Sequence, residues 1–201
     1  MSILVSFFIG APDGLLSHFL SGPLHDFYGW YCQVLEESPD EFSPAALHLL
    51  RQVINDGAIA LERTSDFKSV DALLIDFYLM FTETLPDNHA HYLTYANDSW
   101  LSLYSYKAAI DIWKVGKELA VVELLNYMYT GRPLFRDSGV YPFFSGDGIV
   151  RLAYWTADET LAIAQALTDS TLSENESRLH NLASAANKAA EQQTGIIIVV
   201  A

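Results

Sequence analysis

The two ends of the chain constrain its fold more than anything between them. Residues 2–9 read SILVSFFI and residues 195–201 read GIIIVVA. Both are short, mostly β-branched and aromatic runs, the composition of strands buried on both faces. Such strands belong in the middle of a sheet. They are expected to pair with each other or with a third candidate, Ile149–Tyr154 (IVRLAY). An end of the chain lying outside and solvated would overturn that expectation.

The segments between them read as helices. Gly10 stops the first strand, Pro12 suits a first helical turn, and Leu15, Leu16, Phe19 and Leu20 form a stripe ended by Gly22-Pro23. Residues 24–36 are apolar but irregular, with Gly29 in the middle. Ser43-Pro44 is a cap followed by a first-turn proline, and the helix behind it runs through Leu47, Leu50, Val53 and Ile54 towards Gly57. From Ser65 or Asp66, the residues Phe67, Val70, Leu73, Leu74, Phe77 and Phe81 recur every three or four positions, until Leu85-Pro86-Asp87 stops the helix. Further helices are expected from Trp100 to Trp113 and from Lys117 to Tyr129, the second capped by Gly131 in a left-handed conformation. Residues 131–148 hold four glycines and two prolines, which suits an extended loop. Thr156-Ala-Asp-Glu159 and Ser173-Glu-Asn-Glu176 are capping boxes. The last helix carries Leu179, Leu182, Ala183, Ala186 and Ala190, with Gly195 closing it.

Long helices with about three strong strands imply a helix-rich α+β domain whose small sheet includes the N- and C-terminal strands. One domain spanning residues 1–201 is expected, with residues 30–115 open to reading as a helical insertion. No apolar run reaches the roughly 18–20 residues that cross a bilayer, so no membrane association is expected. The first apolar run lacks a basic leader and is followed at once by Asp13 and Gly14, so it does not read as a signal peptide. A single cysteine, Cys32, fits a reducing cytoplasm and a packed role.

Charge narrows the function classes. The chain has 11 Lys plus Arg against 25 Asp plus Glu, a net charge of −14. That excludes the basic surface of a dedicated nucleic-acid binder. The apolar fraction of 51% excludes a disordered chain.

A set of ordered features resembles a known family. A short apolar strand enters a helix (MSILVSFFIGAPDGLLSHFL), a helix ends in a Tyr-Thr-Gly turn (ELLNYMYTG), a glycine-bearing loop leads into LAYWTADETLAIAQAL, and a terminal strand follows a glycine (GIIIVVA). Together they resemble the YfbM-like family of uncharacterised bacterial proteins. The resemblance covers the two ends and residues 119–168, not residues 30–115. It implies an α+β bacterial fold and no established activity, because the matched motifs are caps, turns and core strands.

Sites of chemistry are sparse. His89-Ala-His91, after Asp87 and Asn88, could offer two metal ligands from one strand face, but nothing at ligand spacing completes a site. Ser145-Gly-Asp-Gly148 reads as a tight turn feeding a strand, unlike a phosphate loop feeding a helix. No nucleophile elbow is present, and Cys32 with His25 seven residues away reads as packing. No cofactor is implied. The aromatic residues are more informative, since Tyr and Trp bury large areas while keeping a polar tip and are enriched at interfaces. Trp30, Tyr31, Tyr95, Trp100, Tyr104 and Tyr141, with Arg132 and Arg136, are the candidate interaction residues. The expected function is a cytoplasmic, non-enzymatic interaction module, immunity- or inhibitor-like, whose acidic surface meets a basic protein. The alternatives are a small-ligand binder or hydrolase with a pocket near residues 131–148, and a structural homodimer.

Overall fold

Residues 5–9 and 196–200 do form central strands, and they pair with each other. The computed structural model describes residues 4–40, 42–66, 69–70, 72–74, 76–77, 94–96, 102–114, 117–132, 151–168 and 179–200. In chain order the elements are β1 (Val5–Ile9), α1 (Pro12–Ser21), α2 (Leu24–Glu37), α3 (Pro44–Asp56), α4 (Ile59–Arg63), β2 (Thr94–Tyr95), α5 (Leu103–Trp113), α6 (Leu119–Thr130), β3 (Arg151–Trp155), α7 (Ala157–Thr168), α8 (His180–Glu191) and β4 (Ile196–Val200). Residues 69, 70, 72–74, 76 and 77 are helical as well. The fold is α+β and helix-rich. Among the described residues no helix is long and apolar enough to cross a membrane.

The chain divides into two compact units. One is built from the described residues of 1–12, 93–144 and 149–201, the other from those of 13–92. The first holds the sheet, ordered β2-β1-β4-β3 and antiparallel throughout. Val5, Phe7 and Ile9 stand opposite Val200, Ile198 and Ile196, and Ala153 and Trp155 stand opposite Ile198 and Ile196. All eight share a single core with the inner faces of α5 to α8. The alternate positions Phe8, Ile197 and Val199 are buried too. Burial on both faces is why β4 is a continuous apolar run and β1 is broken only by the half-buried Ser6. Each such side chain contributes roughly 1.5–3 kcal/mol by leaving water.

Helix boundaries follow local chemistry, with three corrections to the sequence reading. First, α5 begins at Leu103 and not at Trp100, because the Ser102 hydroxyl accepts the Ser105 amide at 3.2 Å and so caps the helix. Second, Ser43 has extended cap geometry, but its side chain makes no capping hydrogen bond; Pro44 sits in the first turn and fixes its backbone. Third, Gly195 does not close the last helix. That helix ends at Glu191, and Gln193 takes the left-handed position with φ 54°. The Thr194 amide donates to the Ala189 carbonyl and the Gln193 amide to the Ala190 carbonyl, both at 3.0 Å, the paired bonds of a Schellman turn. The buried stripe of α8 is Leu182, Ala185, Ala186 and Ala189, rotated from the expected one because alanines line several faces.

A glutamine in a left-handed turn carries strain that glycine does not. Gln193→Gly is expected to raise stability by about 1 kcal/mol, a melting shift of roughly 2–4 °C, read by thermal unfolding. An unchanged or lower melting temperature would contradict the assignment.

The second unit is helical. Phe19, Phe27 and Phe77 meet edge to face, with centroids 5.3–6.3 Å apart. Leu15, Leu50, Val53, Leu61, Val70, Leu73 and Leu74 are buried in the same unit. α2 runs unbroken through Gly29, which has open space where a side chain would be. Asp66 starts the helical residues beyond it: its carboxylate accepts the Ser69 amide at 3.2 Å and the Ser69 hydroxyl at 2.7 Å. Phe67, Phe81, the Leu85-Pro86-Asp87 stop, the Ser145–Gly148 turn and the Ser173–Glu176 capping box lie outside the described residues.

Candidate functional site

Two clusters bring charged groups into partly dry surroundings, one in each unit. In the sheet-bearing unit the centre is Arg132. α6 ends at Thr130, the following Gly131 turns the chain with a φ of 75°, and Arg132 comes next. Its guanidinium lies between the rings of Tyr127 and Tyr154, 4.8 and 4.3 Å from their centroids, as cation–π contacts. Nη1 donates to Glu159 Oε2 at 2.6 Å. The same oxygen accepts the Thr156 amide at 2.9 Å, while the Thr156 hydroxyl accepts the Glu159 amide at 3.3 Å. The capping box read from sequence is therefore present, and its glutamate has a second task as the counter-ion of Arg132. Burial opposes the charge on Arg132, but the bond to Glu159 more than offsets it and holds the guanidinium above its ordinary pKa.

This carboxylate is engaged by an amide and a cation, and so is not a ready general base. The cluster clamps the end of α6 to the start of α7. Glu159→Ala is expected to cost about 2–3 kcal/mol, combining a lost cap with a half-buried arginine left unpaired. Glu159→Gln keeps the capping geometry and should cost about half as much. Urea denaturation of both variants checks this; equal losses would show that the ion pair with Arg132 carries the whole effect.

In the helical unit the centre is Tyr31 and Asp76. Tyr31 is 1% exposed and packs against Phe27, Trp30 and Phe42, with centroids 5.5–6.0 Å apart. It is a core residue, which corrects its expected place on an interaction surface. Its hydroxyl is hydrogen-bonded to the Asp76 carboxyl. Burial pushes the Asp76 carboxyl up to about 7, and the bond to Tyr31 only partly restrains that rise. Burial, and then the Asp76 charge, raise the Tyr31 phenol above its usual range. Among the described residues no cation pairs with Asp76.

The other candidates are dispersed. Trp30 is half-buried and stacked on Phe27 at 5.7 Å. Tyr95 lies in β2 opposite Phe8. Tyr104 is 81% exposed near the start of α5. Trp100, Arg136 and Tyr141, with the candidate metal pair His89 and His91, lie outside the described residues. Among the described residues no group of three His, Cys, Asp or Glu side chains could hold a metal ion. Cys32 is a half-buried free thiol. An open hollow of about 260 Å³ lies over Gly22–Asp26 and Ile54, and among the described residues no serine or cysteine lines it beside His25 and Asp26.

Sequence reasoning missed Asp76. The available signal was its spacing: it falls three residues after Leu73, at the edge of the apolar stripe, where an acid is out of place. No family model, no curated protein and no solved structure matches the chain.

Proposed function

We propose that the protein is a non-enzymatic interaction module whose helical unit meets a basic protein partner, in the manner of an inhibitor or immunity protein. One observation carries this reading: the charge is segregated. Residues 13–92 contain thirteen of the 25 acidic residues and three of the 11 basic ones, so 3 − 13 = −10 of the total −14 falls there. Asp26, Glu36, Glu37, Asp40, Asp56 and Glu62 of that unit are exposed. The rest of the chain, with eight basic and twelve acidic residues, is close to balanced. A field of one sign concentrated on one unit steers an oppositely charged partner and raises its on-rate. The resemblance to the YfbM-like family fits the α+β unit and adds no activity.

The test is in-cell cross-linking followed by mass spectrometry, comparing the wild type with the triple reversal Glu36→Lys, Glu37→Lys, Asp40→Lys. The expected result is a basic protein linked to residues 13–92, absent with the triple variant. Binding of that protein to the purified chain should also be lost in about 1 M salt, where the screening length falls to about 3 Å. Recovery of the same proteins by both chains, or links confined to residues 93–201, overturns the reading.

A further inference from the structure

We propose that the protein pairs with a second copy of itself, the exposed apolar strip of α5 in one copy receiving Ile59 of α4 from the other. Two surfaces on the same chain carry this. The first lies on the sheet-bearing unit. Tyr104, Ala108 and Ile112 follow each other at intervals of four, so they run down the side of α5 opposite the buried Tyr106, Ile110 and Trp113. Tyr104 is 81% exposed and Ile112 51%, and Leu119, which opens α6, is 71% exposed. Apolar side chains lined up in water mark a surface that another molecule covers.

Charge says which molecule. Lys107, Asp111 and Lys114 edge the strip, the Asp111 carboxylate accepting from the two lysines at 3.1 and 2.7 Å. Residues 107–117 hold three of the chain's five lysines against one acid, so 3 − 1 = +2 stands here in a chain of −14. The second surface carries the reverse. Among the described residues Ile59 is the one large apolar side chain exposed in the helical unit. Asp56 closes α3 just before it, and Glu62 and Arg63 follow one turn later in α4, all three exposed. Two cations around one acid thus answer two acids beside one cation. An apolar knob ringed mainly by acids fits an apolar strip edged mainly by lysines, and every copy presents both.

Exchange follows from symmetry. When α4 of one copy seats on α5 of the other, a two-fold axis forms the same contact in return, so the interface doubles without new residues. The like net charge of the two copies acts over distance and is screened beyond about 8 Å at physiological salt, whereas the facing side chains lie within that length. Local sign therefore decides. None of these residues belongs to the Glu36, Glu37 and Asp40 surface offered to a basic partner, so the pairing stands or falls apart from that reading.

Light scattering on the full-length chain tests the pairing. The wild type should have the mass of a dimer at about 100 μM and dissociate on dilution. Two variants invert the signs while keeping opposite charges side by side within each surface: Lys107→Glu, Asp111→Lys, Lys114→Glu on α5, and Asp56→Lys, Glu62→Lys, Arg63→Glu beside Ile59. Each alone sets like charges against each other and should associate about a hundredfold more weakly. Mixed in equal amounts they should recover wild-type association, because each then meets its complement. Tyr104→Asp and Ile59→Asp, each a change to one exposed side chain, should be monomeric. A wild type that is monomeric throughout, variants that pair as the wild type does, or a mixture that stays monomeric overturns the proposal.

Discussion

Gly195→Ala is expected to destabilise the sheet-bearing unit by about 3 kcal/mol or more, lowering the melting temperature by roughly 6–12 °C. Three chain segments converge at this residue. The Gly10 amide donates to the Gly195 carbonyl at 3.0 Å, and Ile196, the next residue, pairs with both Ile9 and Trp155. A Cβ added at Gly195 would lie inside the van der Waals shell of the Trp155 carbonyl oxygen and 3.0 Å from Pro12 Cδ. The first obstacle is backbone and the second is a proline ring, so neither can swing aside as a flexible side chain would. Relief requires β4 to part from β3 or β1, where the register is set. Gly29→Ala is the control, since open space surrounds that exposed glycine and alanine favours the helix by about 0.5–1 kcal/mol. Thermal unfolding of both variants checks the contrast. A Gly195→Ala protein melting within about 2 °C of the wild type would show that the strand ends shift freely.

The same residue shows where sequence reasoning reaches and where it stops. The terminal strands were legible because their cause is local: β-branched runs closed by glycine have few other uses, and two of them demand a shared sheet. The Thr156–Glu159 capping box was legible for the same reason, since its partners are three residues apart. Gly195 was misread because its glycine answers a neighbour from β3, distant in sequence, and not the end of the helix before it. Arg132 reads in sequence as an interaction residue, because its counter-ion lies 27 positions away. Tyr31 and Trp30 looked equivalent in sequence, yet one is buried and the other half-buried. Adjacent helix positions differ by about 100° of rotation, and an aromatic at either position satisfies the same apolar pattern. Of the candidate interaction set, only the residues whose roles were set by near neighbours could have been placed in advance.

Trp155→Ala is expected to be the most damaging single truncation in the described core, at about 4–5 kcal/mol. The indole is fully buried, lies stacked on Phe7 with centroids 6.2 Å apart, and donates from Nε1 to the Leu124 carbonyl at 2.8 Å. Phe7 in turn meets Tyr106 edge to face at 5.6 Å, so the ring sits in a chain of aromatics reaching from β3 through β1 to α5. Removing it opens a cavity between the sheet and α6 and leaves a carbonyl without its donor. Trp155→Phe separates the two effects. It keeps most of the stacking on Phe7 and loses the hydrogen bond, so its expected cost is about 2 kcal/mol. Urea denaturation at matched conditions provides both numbers. A phenylalanine variant as unstable as the alanine one would assign the stability to the Leu124 hydrogen bond. A phenylalanine variant equal to the wild type would assign it to packing alone. The intermediate value is expected because Trp155 closes β3 immediately before the Thr156 cap. One side chain thereby fixes where the strand ends, how α6 lies against it, and where α7 begins.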